Sequence, residues 1–173
     1  MAIRTILHYP DPRLRERGAP IAEINAEVKK LVDDMAETMY AAPGVGLAAT
    51  QIGVALQLFV IDVAGEDEPS DLRVFINPEI LERHDSITWN EGCLSFPGVS
   101  EEIERAAKVR VRALDKNGKA FELEAEGLLA VAIQHEYDHL QGTLMIDHMG
   151  PLKKRIVQRK MQKRSVEAGD TAE

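Results

Sequence analysis

"GLLAVAIQHEYDHLQG", residues Gly127 to Gly142, is the stretch on which the fold turns. Leu128, Val131, Ala132 and His135 recur on one helical face, while Leu129, Ile133, Tyr137 and Leu140 cover much of the rest. A helix that is apolar nearly all round belongs inside the protein. The spacing therefore predicts a central buried helix from about Leu128 to Leu140, ended near Gly142. Within it His135 and His139 fall one turn apart, so both imidazoles can reach one ion. Glu136 points about 100° around the axis from His135 and can flank that ion without being a ligand. Two buried imidazoles need a metal or an ionised partner. Hydrogen-bonded core histidines are the competing explanation, and His-Glu-x-x-His alone does not decide between them.

A catalytic metal site normally has three protein ligands and an open position, so the helix leaves it one ligand short. Cys93, in "NEGCLSFPG", is the only thiol of the chain. The common fate of a free cysteine is that of a small buried hydrophobe. Here Gly92, Ser95, Pro97 and Gly98 surround it, where a chain turns and exposes backbone. One thiolate with two imidazoles is a catalytic ligand set that keeps a fourth place for water. A third stretch, "PGVGLAATQIG" from Pro43 to Gly53, is neither a dinucleotide fingerprint nor a phosphate loop. Its small residues allow close backbone approach by a ligand or by a neighbouring strand. Gln51 is either a surface amide or, beside a metal pocket, a donor to a developing oxyanion.

The rest of the chain supplies a scaffold. Its 173 residues suit one domain, and 45% hydrophobic with 29% charged residues is an ordinary globular balance. No apolar run approaches a membrane span, and "MAIRTILHYPDPRLR" is too short in apolar residues for a secretory signal. One cysteine excludes an intramolecular disulfide and points to a reducing cytoplasm. The net charge of -8 argues against general nucleic-acid binding, yet "PLKKRIVQRKMQKR", residues 151–164, is wholly basic among its charges. Val28, Leu31, Val32, Met35 and Met39 predict a helix capped by Asn25 and stopped at Pro43–Gly44. "LQLFVIDV" and "LRVFINP" read as strands joined by the loop Gly65 to Asp71.

For Lys108 to Glu126, a three-residue loop, Lys116 to Gly118, pairs Val111 with Leu123 and Ala113 with Phe121. It also sets Arg112 against Glu122 and Arg110 against Glu124 on the wet face. The expectation is a type I turn with Gly118 left-handed in a bulge.

Together, "GVGLAATQIG", "EGCLSFPG" and "QHEYDHLQG", with the opening "ILHYPDPRLR", resemble the signature motifs and N-terminus of the peptide deformylases over essentially the whole chain. The resemblance implies a hydrolase that removes the formyl group from the N-terminal formyl-methionine of nascent polypeptides. Ferrous iron is the implied metal, replaceable by nickel, cobalt or zinc. Cys93, His135 and His139 are the implied ligands, and Glu136 the general base toward a metal-bound water. Gln51 and the Leu94 N–H are the implied oxyanion donors. The substrate would lie as an added strand near Gly46 and the segment after Cys93, with Val45, Leu128, Val131 and Ala132 as candidates for the methionine pocket, plain core packing being the alternative for each; Trp89 would form the pocket rim or cap the core. Glu91 and Arg105 are expected to form an ion pair fixing the Cys93 loop. Many bacterial members carry an arginine just past the cysteine motif, where this chain has Ser100 and acids after it.

The basic segment is either a solvated helix face or a surface docking on ribosomal RNA, as the family's terminal helix is thought to do. His8, His84 and His148 lie outside the motifs and read as ordinary. The expected architecture is α+β, with mixed or antiparallel strands around the central helix and the terminal helix outside. Residues 1–150 would be one catalytic domain, with 151–173 a basic helix and acidic tail; a monomer is expected. Two rivals remain: a metallopeptidase of the HExxH type, against which the Cys93 ligand argues, and a non-catalytic metal-stabilised binding module with a closed site.

Overall fold

The computed structural model describes residues 2–65 and 67–167, with side chains through residue 164. Its elements in chain order are helix α1 (Ala26–Ala41), strands β1 (Gly46–Ala48), β2 (Leu58–Ile61), β3 (Arg73–His84), β4 (Ile87–Gly92), β5 (Ser100–Arg105), β6 (Lys108–Leu114) and β7 (Ala120–Glu126), then helices α2 (Gly127–Leu140) and α3 (Pro151–Glu167). Five strands form one antiparallel sheet in the order β1-β2-β3-β6-β7, and β4 with β5 forms a separate antiparallel ribbon. The fold is α+β, as the sequence implied.

The sheet is sandwiched between two helices, and β2 shows how. Its four residues are all buried: Phe59 and Ile61 face a cluster with Ala130, Ile133 and Leu140 of α2, while Leu58 and Val60 face Val32, Met35 and Met39 of α1. A strand covered on both faces reads as a continuous apolar run rather than an alternation. Helix α1 starts where the Asn25 side chain accepts the Val28 N–H at 3.0 Å, and the chain leaves it where Gly44 donates to the Met39 carbonyl. Both ends are those the sequence predicts. Helix α2 ends with Gly142 at φ 79°, in the left-handed region. An added Cβ there would lie 2.6 Å from the Arg15 carbonyl oxygen, so the N-terminal segment closes directly on the helix end.

The β6–β7 hairpin has the predicted register, Val111 with Leu123, Ala113 with Phe121 and Arg112 with Glu122, and Gly118 sits at φ 80°. The arginines, however, take their close ion partners from β3: Arg112 from Glu79 at 3.1 Å and Arg110 from Glu82. Strand β3 runs well past its expected end at Pro78. A register shift between Ile76 and Glu79 takes Asn77 to φ 52°, and its side-chain amide is bonded to both the N–H and the carbonyl of Ile21 at 2.8 Å. The bulge is what lets a proline sit inside a paired strand.

A third cluster joins Leu7, Leu14, Phe96, Val99, Ile103 and Ile146 to Val157 and Met161 of α3. The terminal helix thus docks by one apolar edge beneath the Cys93–Val99 loop and leaves Arg155, Arg159 and Arg164 exposed. The acidic tail expected after it lies outside the described residues. Among those described, no helix is long and apolar enough to cross a membrane.

Candidate metal centre

The β4–β5 ribbon carries Cys93 to α2. Its inward face is unusual: Trp89 sits opposite Ile103, but next to them come Glu91 and Arg105, both buried. The Arg105 guanidinium grips Glu91 through two bonds, Nε to Oε2 at 2.6 Å and Nη2 to Oε1 at 2.9 Å. This is the expected ion pair. Glu91 Oε1 also lies 2.9 Å from His135 Nδ1, a contact the sequence does not announce. One carboxylate therefore fixes both the strand leading into Cys93 and the ring orientation of His135, leaving His135 Nε2 to face the thiol.

Cys93 Sγ lies 3.4 Å from His139 Nε2, and the two Nε2 atoms are 3.3 Å apart. All three donor atoms lie within 4.8 Å of one another. A tetrahedral ion bound at about 2.0–2.1 Å to nitrogen and 2.3 Å to sulfur would have donor separations of roughly 3.4 and 3.6 Å. The donor set therefore fits one divalent ion with little rearrangement. Two further buried atoms, Glu136 Oε1 and His139 Nδ1, have no hydrogen-bond partner among the described residues.

Glu136 flanks the donors rather than joining them. Its carboxylate lies against Gly46, where a Cβ would meet Oε2 at 2.7 Å; only glycine in β1 leaves that space. Gly44 does the same for Leu94, whose Cδ1 would be 2.7 Å from an added Cβ. Gln51 follows β1 in a single 3-10 turn, its Oε1 accepting the Ala48 N–H at 2.9 Å. The amide nitrogen then donates to Ser95 Oγ at 3.0 Å and lies 3.7 Å from Cys93 Sγ.

A cavity of about 640 Å³ opens over these groups. Val45, Gly46, Trp89, Leu128, Val131 and Ala132 all line it, together with Gln51, Cys93, Leu94, His135 and Glu136. Every predicted site residue except the buried His139 thus meets the same space. Ile6 and His8 line it too. The Leu7 and Tyr9 N–H groups bond to the Gln51 and Ser95 carbonyls, so alternate residues of that extended segment face the cavity. Period-two placement is visible only once the hydrogen-bond partners are known.

The electrostatics of the site are divided. Burial disfavours charge on His135, but Cys93, Glu136 and Glu91 outweigh it and hold the ring well above its ordinary pKa. Burial and the neighbouring His135 hold His139 well below. Burial pushes Glu136 up to about 7 despite His135 and Arg105. For Glu91, burial is overcome by Arg105 and His135, so it stays below the usual carboxylate value and remains an anion.

The family model described as polypeptide deformylase matches residues 3–155. A peptide deformylase of Alkalilimnicola ehrlichii is 53% identical over 163 residues, 94% of this chain and 91% of that protein. One from Polynucleobacter necessarius is 51% identical over 96% of this chain and 97% of its own length. Among solved structures, a peptide deformylase from Legionella pneumophila superposes with a TM-score of 0.91 at 46% identity, covering 98% of this chain and 99% of that one. Another, from Ehrlichia chaffeensis in complex with actinonin, gives 0.91 at 36% identity over 95% and 98%. With the family match spanning nearly the whole fold, Cys93, His135 and His139 included, the chain belongs to the peptide deformylases, a family of hydrolases.

Proposed function

We propose that this protein removes the formyl group from N-terminal formyl-methionine of newly made polypeptides, with one divalent ion held by Cys93, His135 and His139. Ferrous iron is the ion we assign, with nickel, cobalt or zinc as substitutes. The observation that carries the reading is the convergence of one thiol and two imidazoles at ligand spacing beside a buried carboxyl, at the floor of a peptide-sized cavity that Cys93, His135 and Glu136 line. A cation there supplies Lewis acidity and a water acidified toward neutral pH.

The chain's own residues do the rest. Glu136, whose carboxyl burial pushes up to about 7, accepts a proton from the attacking water and returns it to the departing amine. The Gln51 amide and the Leu94 N–H donate to the oxyanion as it forms; a single such donor is worth about 3–4 kcal/mol of barrier elsewhere. Strand β1 ends the five-stranded sheet, so its outer edge at Gly46 can pair with an extended peptide. Leu128, Val131, Ala132 and Trp89 supply apolar walls for the methionine side chain. The exposed cations of α3 give the protein a surface for ribosomal RNA, and that contact weakens steeply with salt.

The test is hydrolysis of a formyl-Met peptide against its unformylated twin, on anaerobically purified protein of known metal content. Release of formate from the first and no cleavage of the second supports the reading; peptide-bond cleavage of the second favours a metallopeptidase. Glu136→Gln must keep the metal and the fold while losing turnover. Undiminished function in that variant would instead support a binding module.

A further inference from the structure

The ion pair that holds His135 does not stop at Arg105. Its remaining nitrogen, Nη1, donates to Asp138 Oδ2 at 2.8 Å, and the same oxygen lies 2.8 Å from His148 Nε2. The groups run in sequence: His148, Asp138, Arg105, Glu91, His135. Each link is 2.9 Å or shorter. Side-chain exposure falls along it, from 30% at His148 and 22% at Asp138 to 4% at both Arg105 and Glu91. The line leads from the surface to the ring nitrogen behind a metal donor.

We infer that His148 is a positioning residue for the metal centre, acting through Asp138 and Arg105 on the Glu91 carboxylate that orients His135. This rests on the metal reading above. Asp138 Oδ2 is shared between one guanidinium N–H and the imidazole. With the imidazole gone, that oxygen draws Arg105 toward itself as its remaining partner. Glu91 is held by two other nitrogens of the same rigid guanidinium, so any rotation toward Asp138 loosens both bonds. Glu91 then ceases to hold the His135 ring in one orientation. Among the described residues His148 does not line the cavity, and its bond to Asp138 gives its effect this route inward.

Direct partners of a metal-bound imidazole are worth about 10–100-fold in metal affinity. Three links further out, the expected effect is smaller, roughly 3–10-fold faster loss of metal to a chelator. The experiment uses the full chain loaded with Co²⁺, followed by visible absorption and by release to excess chelator. His148→Ala should shift the ligand-field bands and speed release. His148→Gln, which keeps a donor for Asp138, should restore both. A cycle with Asp138→Asn should show that His148→Ala adds little once Asp138 is changed. In metal-free protein, the ring resonances of His135 should broaden in His148→Ala and sharpen again in His148→Gln. Unchanged spectra and release in His148→Ala, or equal losses in the Ala and Gln variants, overturn the inference. A wild-type chain that takes up no cobalt at Cys93 would sink the metal reading instead, and is told apart by that control.

Discussion

Replacing Gly46 with alanine tests the placement of Glu136 with a single methyl group. An added Cβ would stand 2.7 Å from Glu136 Oε2 and 3.1 Å from its Cδ and Cγ, where ordinary contact begins near 3.4 Å. The carboxylate must therefore retreat by about 0.7 Å, because β1 is buried and paired on its other edge with β2. Misplacing a reacting group by 1 Å costs about 100-fold in rate, so kcat/KM should fall roughly 10- to 50-fold. Stability should move little. Gly46 does not sit at positive φ, and glycine-to-alanine substitution at a compatible site gains about 0.4–1 kcal/mol from the unfolded chain, against the cost of moving one flexible side chain.

The assay pairs formate release with metal content and urea unfolding of the same preparations. Adding Glu136→Asp, which shortens the carboxylate by one carbon, should make Gly46→Ala nearly silent beyond the loss that Glu136→Asp causes alone. A Gly46→Ala enzyme within twofold of wild type would refute the reasoning. So would a loss explained by missing metal.

Arg105→Met should cost about 3–5 kcal/mol in urea unfolding of metal-free protein, because it strands the buried Glu91 carboxylate, and adding Glu91→Gln should recover part of the loss. Gly118→Ala, at φ 80° in the β6–β7 turn, should destabilise by about 1 kcal/mol or more without touching kcat, whereas a variant as stable as wild type would contradict the bulge. Burial alone raises the Asp62 carboxyl, but the Tyr40 hydroxyl and the Ala64 and Asp71 N–H groups outweigh it and hold it below 3.8. Its stabilisation is thus complete above about pH 5 and is lost as pH falls through the lowered value, so Asp62→Asn should destabilise at pH 7 and converge with wild type in acid once the native carboxyl is protonated.

The parts of the fold written in local periodicity were legible. Helices α1 and α2, the turn at Gly118 and the paired faces of β6 and β7 follow from apolar spacing and turn chemistry, and the structure places them within a residue or so. Cys93, His135 and His139, whose side chains converge, were legible because each sits in a stretch of distinctive composition. Strand β3 beyond Pro78 was not, since a proline reads as a stop unless a bulge such as that at Asn77 absorbs it. His148 was illegible for a different reason. A histidine on a surface turn carries no signal until folding sets Asp138 and Arg105 beside it.

The β4–β5 ribbon shows why the site itself weakens the sequence pattern. A ribbon facing the core would ordinarily alternate apolar and polar residues, and Ile87, Trp89 and Ile103 do so. On either side of the Trp89–Ile103 pair the inward face carries a charge, Glu91 toward Cys93 and Arg105 opposite Ile87, so the apolar period breaks off at Glu91, two residues before Cys93. Apolar residues there would pack at least as well and avoid the cost of desolvating two charges. They could not, however, accept a hydrogen bond from His135 Nδ1 while holding the strand that delivers Cys93. A single buried carboxylate does both, at 2.9 Å from the imidazole and two residues from the thiol. Cys93 and His135 come from different elements; Arg105 also reaches α2 at Asp138, but Glu91 is the group that bonds the His135 ring itself. The charged pair is therefore best explained as alignment of the donors, with stability a secondary result. On that account Glu91→Gln, which keeps shape and one acceptor oxygen, should impair metal retention more than it impairs folding.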